Sequence, residues 1–111
     1  MGYTKKQPET IFKEKVQNDL DTLDYCWHEK IQQVCKRGTP DILACIGGTF
    51  IALELKKDEK EEAKPLQKLK LRKIKKAGGL DYVAHPKNWP EIFQFLKYLS
   101  EDYSLKRGLK D

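Results

Sequence analysis

Two adjacent glycines with a strand-like run on either side constrain this chain more than any other feature. Asp41-Ile42-Leu43-Ala44-Cys45-Ile46 precedes Gly47-Gly48, and Thr49-Phe50-Ile51-Ala52-Leu53-Glu54-Leu55-Lys56 follows it. A two-residue glycine loop between such runs predicts a tight β-hairpin, because the favoured turns need positive φ, which glycine adopts without steric cost. The loop length sets the register. Ile46 faces Thr49, Cys45 faces Phe50, Leu43 faces Ala52, and Asp41 faces Glu54. Side chains alternate with a period of two, so Asp41, Glu54 and Lys56 share one face of the sheet.

Carboxylates opposed across two strands repel each other. Two arrangements would relieve the repulsion. Both acids can lie near solvent with Lys56 neutralising them, or a divalent cation can sit between them. Hard cations such as Mg²⁺ prefer oxygen ligands. The combination of opposed acids, an adjacent lysine and strand context favours the cation site, with Lys56 placed to act on a water molecule.

The other elements follow from periodicity. Pro8 to Leu23 is a predicted helix with Phe12, Val16, Leu20 and Leu23 on one stripe. Tyr25 to Ile31 is a predicted strand, and Gln32 to Pro40 a loop. Lys57 to Lys64 is a highly charged loop. Pro65 to Ala77 is a second helix, stopped by Gly78-Gly79. Its inward arc is read as Leu66, Leu69, Ile74 and Ala77, with Gln67 beside Ile74. Leu80 to His85 is a short strand. Asn88-Trp89-Pro90-Glu91 resembles a capping box, and the helix it opens is expected to run to about Leu99. The order helix, strand, hairpin, helix, strand, helix describes a mixed α/β domain with helices flanking a central sheet. One domain spans 1–111, with its core over about 8–99 and a charged tail from Ser100 to Asp111 that frays.

Composition excludes several classes. Hydrophobic residues make up 39% and charged residues 35%, too apolar for disorder and too charged for a membrane protein. No apolar run approaches the ~20 residues a transmembrane helix needs. Met1 to Glu9 is polar and lacks the apolar core of a signal peptide, so the expected location is the cytosol. Cys26, Cys35 and Cys45 form no CxxC pair and fit no complete disulfide framework. They are read as plain thiols. His28 and His85 are isolated. The net charge is +5, from 22 basic and 17 acidic residues. Between Ala63 and Gly78 there are seven Lys or Arg residues and no acid. That run is either a solvated helix face or a phosphate-binding one.

The first helix adds a candidate. Glu9 lies three residues before Phe12 and shares its inward face, where it either meets a partner or simply favours the helix dipole. Glu14 points nearly opposite the Phe12–Val16 stripe.

Taken together, Gly38-Thr39-Pro40-Asp41, then Glu54-Leu55-Lys56 after a glycine hairpin, then Gln67 in a helix closed by Ala77-Gly78-Gly79, resemble the virus-type replication-repair nuclease (VRR-NUC) domain. That family belongs to the restriction-endonuclease-like PD-(D/E)XK nucleases. The resemblance covers roughly Pro8 to Trp89 and implies a restriction-endonuclease-like sheet. It implies that Asp41 and Glu54 ligate Mg²⁺ (with Mn²⁺ as substitute), that the Leu55 carbonyl adds a ligand, and that Lys56 positions the attacking water. Gln67 would orient groups around the nucleophile. Glu9 would match the family's first-helix acid, with Glu14 as the alternative.

The expected activity is metal-dependent hydrolysis of DNA phosphodiesters, selective for branched structure and similar to Holliday-junction resolution. A nicking or flap nuclease working beside a replication or repair partner is the alternative, and a non-catalytic nucleic-acid-binding module is a third reading. The resemblance is to the stand-alone phage or prophage type, which implies a cytoplasmic location, in the bacterial host cytosol if the chain is phage-encoded. Lys36, Arg37, Lys68, Arg72 and Lys75 are the expected phosphate contacts. A homodimer is expected, because junction resolution needs two cuts and a C₂ pair supplies two sites. Its candidate interface residues are Trp27, Trp89, Phe93, Phe95 and Tyr98.

Overall fold

The computed structural model describes residues 6–31 and 37–108. Among the described residues, three helices and four strands follow one another as α1 (Pro8–Leu20), β1 (Cys26–Lys30), β2 (Ile42–Ile46), β3 (Thr49–Leu55), α2 (Pro65–Lys76), β4 (Leu80–Ala84) and α3 (Trp89–Arg107). The strands form one sheet in the order β1-β2-β3-β4. β1–β2 and β2–β3 are antiparallel, and β3–β4 is parallel across the α2 crossover. No helix among the described residues is long and apolar enough to cross a membrane.

The glycine loop makes the expected hairpin. Ile46 pairs with Thr49, Cys45 with Phe50, and Leu43 with Ala52. The ladder ends at Ile42 and Leu53, one pair short of Asp41 and Glu54. Asp41 lies in a bend just before β2. Both turn glycines have positive φ, 56° at Gly47 and 81° at Gly48. Gly47 is also a point of close approach. A Cβ there would lie 2.7 Å from the Leu99 carbonyl oxygen and 2.9 Å from Tyr103 Cβ, so the turn docks directly on α3.

The period of two sorts the strands onto two faces. Ile42, Ala44, Ile46, Ile51, Leu53, Leu55 and Ala84 point to one side and pack with Phe12, Val16 and Leu20 of α1 and Trp89, Ile92 and Leu96 of α3. That layer is the hydrophobic core. The indole Nε1 of Trp89 donates to Asp19 Oδ2 at 2.8 Å and links the two helices. α2 covers the opposite face over β3 and β4.

Several boundaries differ from the sequence expectation for local reasons. α1 stops at Leu20, where Thr22 Oγ1 donates to the Asp19 carbonyl at 2.6 Å and starts a turn. Tyr25 is left-handed, with φ 54°, so β1 begins at Cys26. The segment from Ser100 is helical where a frayed tail was expected: α3 continues to Arg107 and is capped by left-handed Gly108. Ser100 is buried and its hydroxyl donates to the Asp24 carbonyl at 2.6 Å, while Tyr103 packs on Tyr25 with ring centroids 5.4 Å apart. The Asn88 side chain makes no capping hydrogen bond with α3. Its amide instead accepts from His85 N and donates to the Val83 carbonyl, closing the β4–α3 corner.

α2 is rotated relative to the expected arc. Leu71 is its buried residue, flanked by half-buried Gln67 and Ile74, whereas Leu66, Leu69 and Ala77 are exposed. Of the five candidate interface residues, Trp89 fills the core and Phe93 packs against it; Trp27, Phe95 and Tyr98 remain exposed.

Candidate metal and phosphate site

Three segments meet at the end of the sheet away from the hairpin turn: the approach to β2, the end of β3 and the start of α2. Asp41 is fixed there at two points. Its carbonyl accepts from Ile31 N, and its Oδ2 accepts from Leu55 N, both at 2.8 Å. The residues before it lean on α2. Gly38 has φ 82°, and a Cβ on it would sit 2.8 Å from the Leu66 carbonyl carbon and oxygen. Lys70 Nζ donates to Thr39 Oγ1 at 3.0 Å. The Gly38-Thr39-Pro40-Asp41 segment is therefore clamped between the sheet and the helix.

Glu54 and Lys56 project from the α2 face of β3 and are 3% and 6% exposed. Gln67 bridges them. Its Nε2 donates to Glu54 Oε2 at 2.6 Å, and its Oε1 accepts from Lys56 Nζ at 3.1 Å. The same Oε1 accepts from Lys64 N at 2.7 Å. That last bond is the third-residue half of a capping box, with Pro65 opening the helix. The start of α2 thus sets which way the amide faces. Lys56 Nζ also lies 3.4 Å from Glu54 Oε2.

Burial pushes the Glu54 carboxyl up to about 7, helped by the negative charge of Asp41 and opposed by Lys56. While Glu54 is ionised, its Oε1 is buried without a hydrogen-bond donor, since a hydrogen bond between the Glu54 and Asp41 side chains requires a proton on one of the two carboxyls. An unpaired buried carboxylate oxygen is costly. With Asp41 as its neighbouring charge, the oxygen has the chemistry of a ligand position for a hard cation. Among the described residues, no group of three Asp, Glu, His or Cys side chains converges. Two carboxylates suffice for Mg²⁺, which commonly keeps several waters and takes one or two protein carboxylates. The residues present fit such an ion.

The structure thus brings together Asp41, Glu54, Lys56 and Gln67, with the Leu55 backbone N–H bonded to Asp41. It does not bring Glu9 to them. Glu9 is exposed in the first turn of α1, and among the described residues it joins no cluster of three acids. Glu14 is exposed and paired with Lys6 at 2.8 Å. What α1 brings instead is Lys13, whose Nζ is 3.9 Å from Asp41 Oδ1. The signal was present in the sequence, since Lys13 follows Glu9 by four residues and shares its face. The clamp made by Gly38 and Lys70 had no sequence signal apart from the neighbouring Pro40-Asp41.

Lys68, Arg72 and Lys75 form one exposed stripe along α2, and Arg37 is exposed nearby in sequence to the clamp. Lys36 and Cys35 lie outside the described residues. Burial, and then the charges of Asp21 and Cys45, push the Cys26 thiol up to about 11, which suits an inert thiol.

No family model and no curated protein matches the chain. Two solved structures do. One, described as a VRR_NUC domain, is 22% identical, with a TM-score of 0.66 over 88% of this chain and 99% of its own. Another, described as a VRR_NUC domain protein, is 23% identical, with a TM-score of 0.67 over 87% of this chain and 93% of its own. The chain therefore has the restriction-endonuclease-like fold of these VRR-NUC domains over most of its length.

Proposed function

We propose that this chain is a divalent-metal-dependent DNA endonuclease of the VRR-NUC type. Fold alone does not establish an activity. The observation that carries the reading is the buried Glu54–Gln67–Lys56 network beside Asp41, with Glu54 Oε1 left unpaired. A fold does not ordinarily bury a carboxylate oxygen without a partner unless something else occupies it.

In this reading Asp41 Oδ1 and Glu54 Oε1 hold Mg²⁺ or Mn²⁺, and the Leu55 carbonyl contributes a further oxygen. The chemistry such an ion supplies is a lowered pKa for a bound water and neutralisation of charge on the phosphoryl oxygens. The protein's own part is positional. Gln67 holds the Glu54 carboxylate by Oε2 and keeps Oε1 turned to the cation. Lys56, restrained by Gln67 and Glu54, presents a positive charge at the reacting phosphate and orients the attacking water. Glu9 is left out of this set by its position. Arg37, Lys68, Arg72 and Lys75 contact the DNA backbone, which favours recognition of shape over base sequence.

The finer reading is a junction-resolvase-like enzyme acting on branched DNA as a homodimer in the cytosol of a bacterial host. Of the aromatic residues expected at its interface, Trp27, Phe95 and Tyr98 are exposed.

Incubation with four-way, flap, splayed and linear DNAs in Mg²⁺ or Mn²⁺ tests the proposal. Cutting should require the ion and favour a branched substrate. Asp41→Asn and Glu54→Gln should each abolish it while leaving the fold intact. Lys56→Ala should slow single-turnover cutting in Mg²⁺ more than it weakens DNA binding in Ca²⁺. DNA affinity without metal-dependent cutting would leave only a binding module. Light scattering at micromolar concentration reads the oligomeric state, and a strict monomer that cuts flaps would replace junction resolution by the flap-nuclease reading.

A further inference from the structure

Two lysines approach the acids of the site, and they are held in different ways. Lys56 is buried, hydrogen-bonded to Gln67 at 3.1 Å and 3.4 Å from Glu54 Oε2. Lys13 reaches Asp41 Oδ1 only at 3.9 Å, and its side chain is 30% exposed. At that separation the pair attracts but makes no hydrogen bond. The ammonium has a long flexible stem and an open path to solvent, so it can leave Asp41 without breaking a directional contact.

Asp41 does not depend on Lys13 for its position. Leu55 N holds its other carboxylate oxygen, and Ile31 N holds its carbonyl. Nor does α1, which is attached through Phe12, Val16 and Leu20. What Lys13 does is place a positive charge beside the one Asp41 oxygen that a cation would use. A divalent ion and the ammonium then compete for the same carboxylate, and each repels the other.

We propose that Lys13 is a counter-ion displaced by substrate. In the metal-free protein it neutralises Asp41 Oδ1 and holds back divalent-ion binding. When a DNA phosphodiester arrives, its negative charge draws the ammonium away and frees that oxygen. Phosphate and cation binding thereby become coupled, and by linkage each strengthens the other by the same factor. The inference rests on the reading of Asp41 and Glu54 as cation ligands.

The test uses Ca²⁺ titration of the full chain by calorimetry, with and without a saturating branched DNA. Lys13→Met keeps the stem and removes the charge. Without DNA, Lys13→Met should bind Ca²⁺ roughly tenfold more tightly than wild type. With DNA, wild type should gain roughly tenfold in Ca²⁺ affinity, whereas Lys13→Met should gain much less. Lys13→Arg should restore the wild-type coupling. Unchanged or weaker Ca²⁺ affinity in Lys13→Met, with full coupling to DNA, overturns the role of Lys13. An Asp41→Asn control separates the two levels. If wild type binds Ca²⁺ and Asp41→Asn does not, the ligand reading stands whatever Lys13→Met does; if both bind alike, that reading falls and takes the Lys13 proposal with it.

Discussion

α1 and α3 cover one face of the sheet with apolar side chains, and α2 covers part of the other with a charged network. The first layer is Phe12, Val16, Leu20, Trp89, Ile92 and Leu96 on the inner side chains of all four strands, with polar contacts at the indole of Trp89 and the hydroxyl of Ser100. The second buries Glu54, Lys56 and part of Gln67 against the same sheet. Burying apolar area stabilises a fold, and burying charge costs stability unless every partner is supplied. The difference between the faces indicates a division of labour. One face carries enough stability for the other to hold buried charge with one carboxylate oxygen unpaired.

That contrast is broken most directly at Trp89, the largest side chain fully buried on the apolar face. Trp89→Ala opens a cavity and leaves Asp19 Oδ2 without its indole donor, although Lys15 still lies 3.3 Å away. The expected loss is about 3–5 kcal/mol, read by denaturant unfolding. Trp89→Phe should lose less, because it keeps a ring in the core and gives up only the N–H. A loss below about 1 kcal/mol for Trp89→Ala would show that the apolar face is not the main source of stability.

The charged face makes the next largest prediction, and its sign follows from Glu54. Its carboxyl binds a proton more tightly in the folded protein, where its pKa is about 7, than at the ordinary value of 4.5. Stability from that proton is fully present below about 4.5 and is lost as the pH rises through about 7. In the presence of a chelator, the chain should therefore become less stable between these values, by roughly 3 kcal/mol. Glu54→Gln removes the titrating group, and thermal or denaturant unfolding across this range should be nearly flat. A wild-type profile that rises with pH would mean that Lys56 outweighs burial and Asp41 together.

How much of this was legible depended on whether the signal was local. The hairpin register followed from Gly47-Gly48 alone, and it placed Glu54 and Lys56 on a common face. Gln67 was found because a polar residue beside Ile74 stood out. The error on α2 came from the same reasoning: Leu66 and Leu69 looked inward by type, but Leu71 is the buried leucine. On a short amphipathic helix the phase is set by what it packs against. Gln67 must reach Glu54, and that turns Leu71 inward. α3 was cut short because a charged sequence cannot reveal Ser100 bonded to Asp24, 76 residues away. Lys13 and the Gly38 clamp are likewise contacts between distant segments.

Gly38 tests the seam between the two faces. Its φ of 82° disfavours any side chain, and a Cβ would press on the Leu66 carbonyl. Gly38→Ala should cost on the order of 1–3 kcal/mol and lift the segment that carries Asp41 away from α2. If the site is as proposed, cation affinity should fall more than global stability does. Equal stability and unchanged cation binding would show that the clamp does not position Asp41.

The smallest expected effect separates two leucines of α2. Leu69 is 40% exposed and Leu71 only 4%. Leu69→Gln swaps one exposed side chain for another at a position with little to pack against. It should change stability by no more than about 0.5 kcal/mol. Leu71→Ala, measured alongside it, should cost about 2–5 kcal/mol, because it removes the main apolar contact of α2 beneath Gln67. It should also disturb Gln67, since the helix that orients the amide would no longer be seated. If Leu69→Gln costs as much as Leu71→Ala, the helix sits with Leu69 inward in solution, and Gln67 is turned away from Glu54. The network that carries the functional reading would then fail with it, so two unfolding curves on a surface helix bear directly on the chemistry beneath.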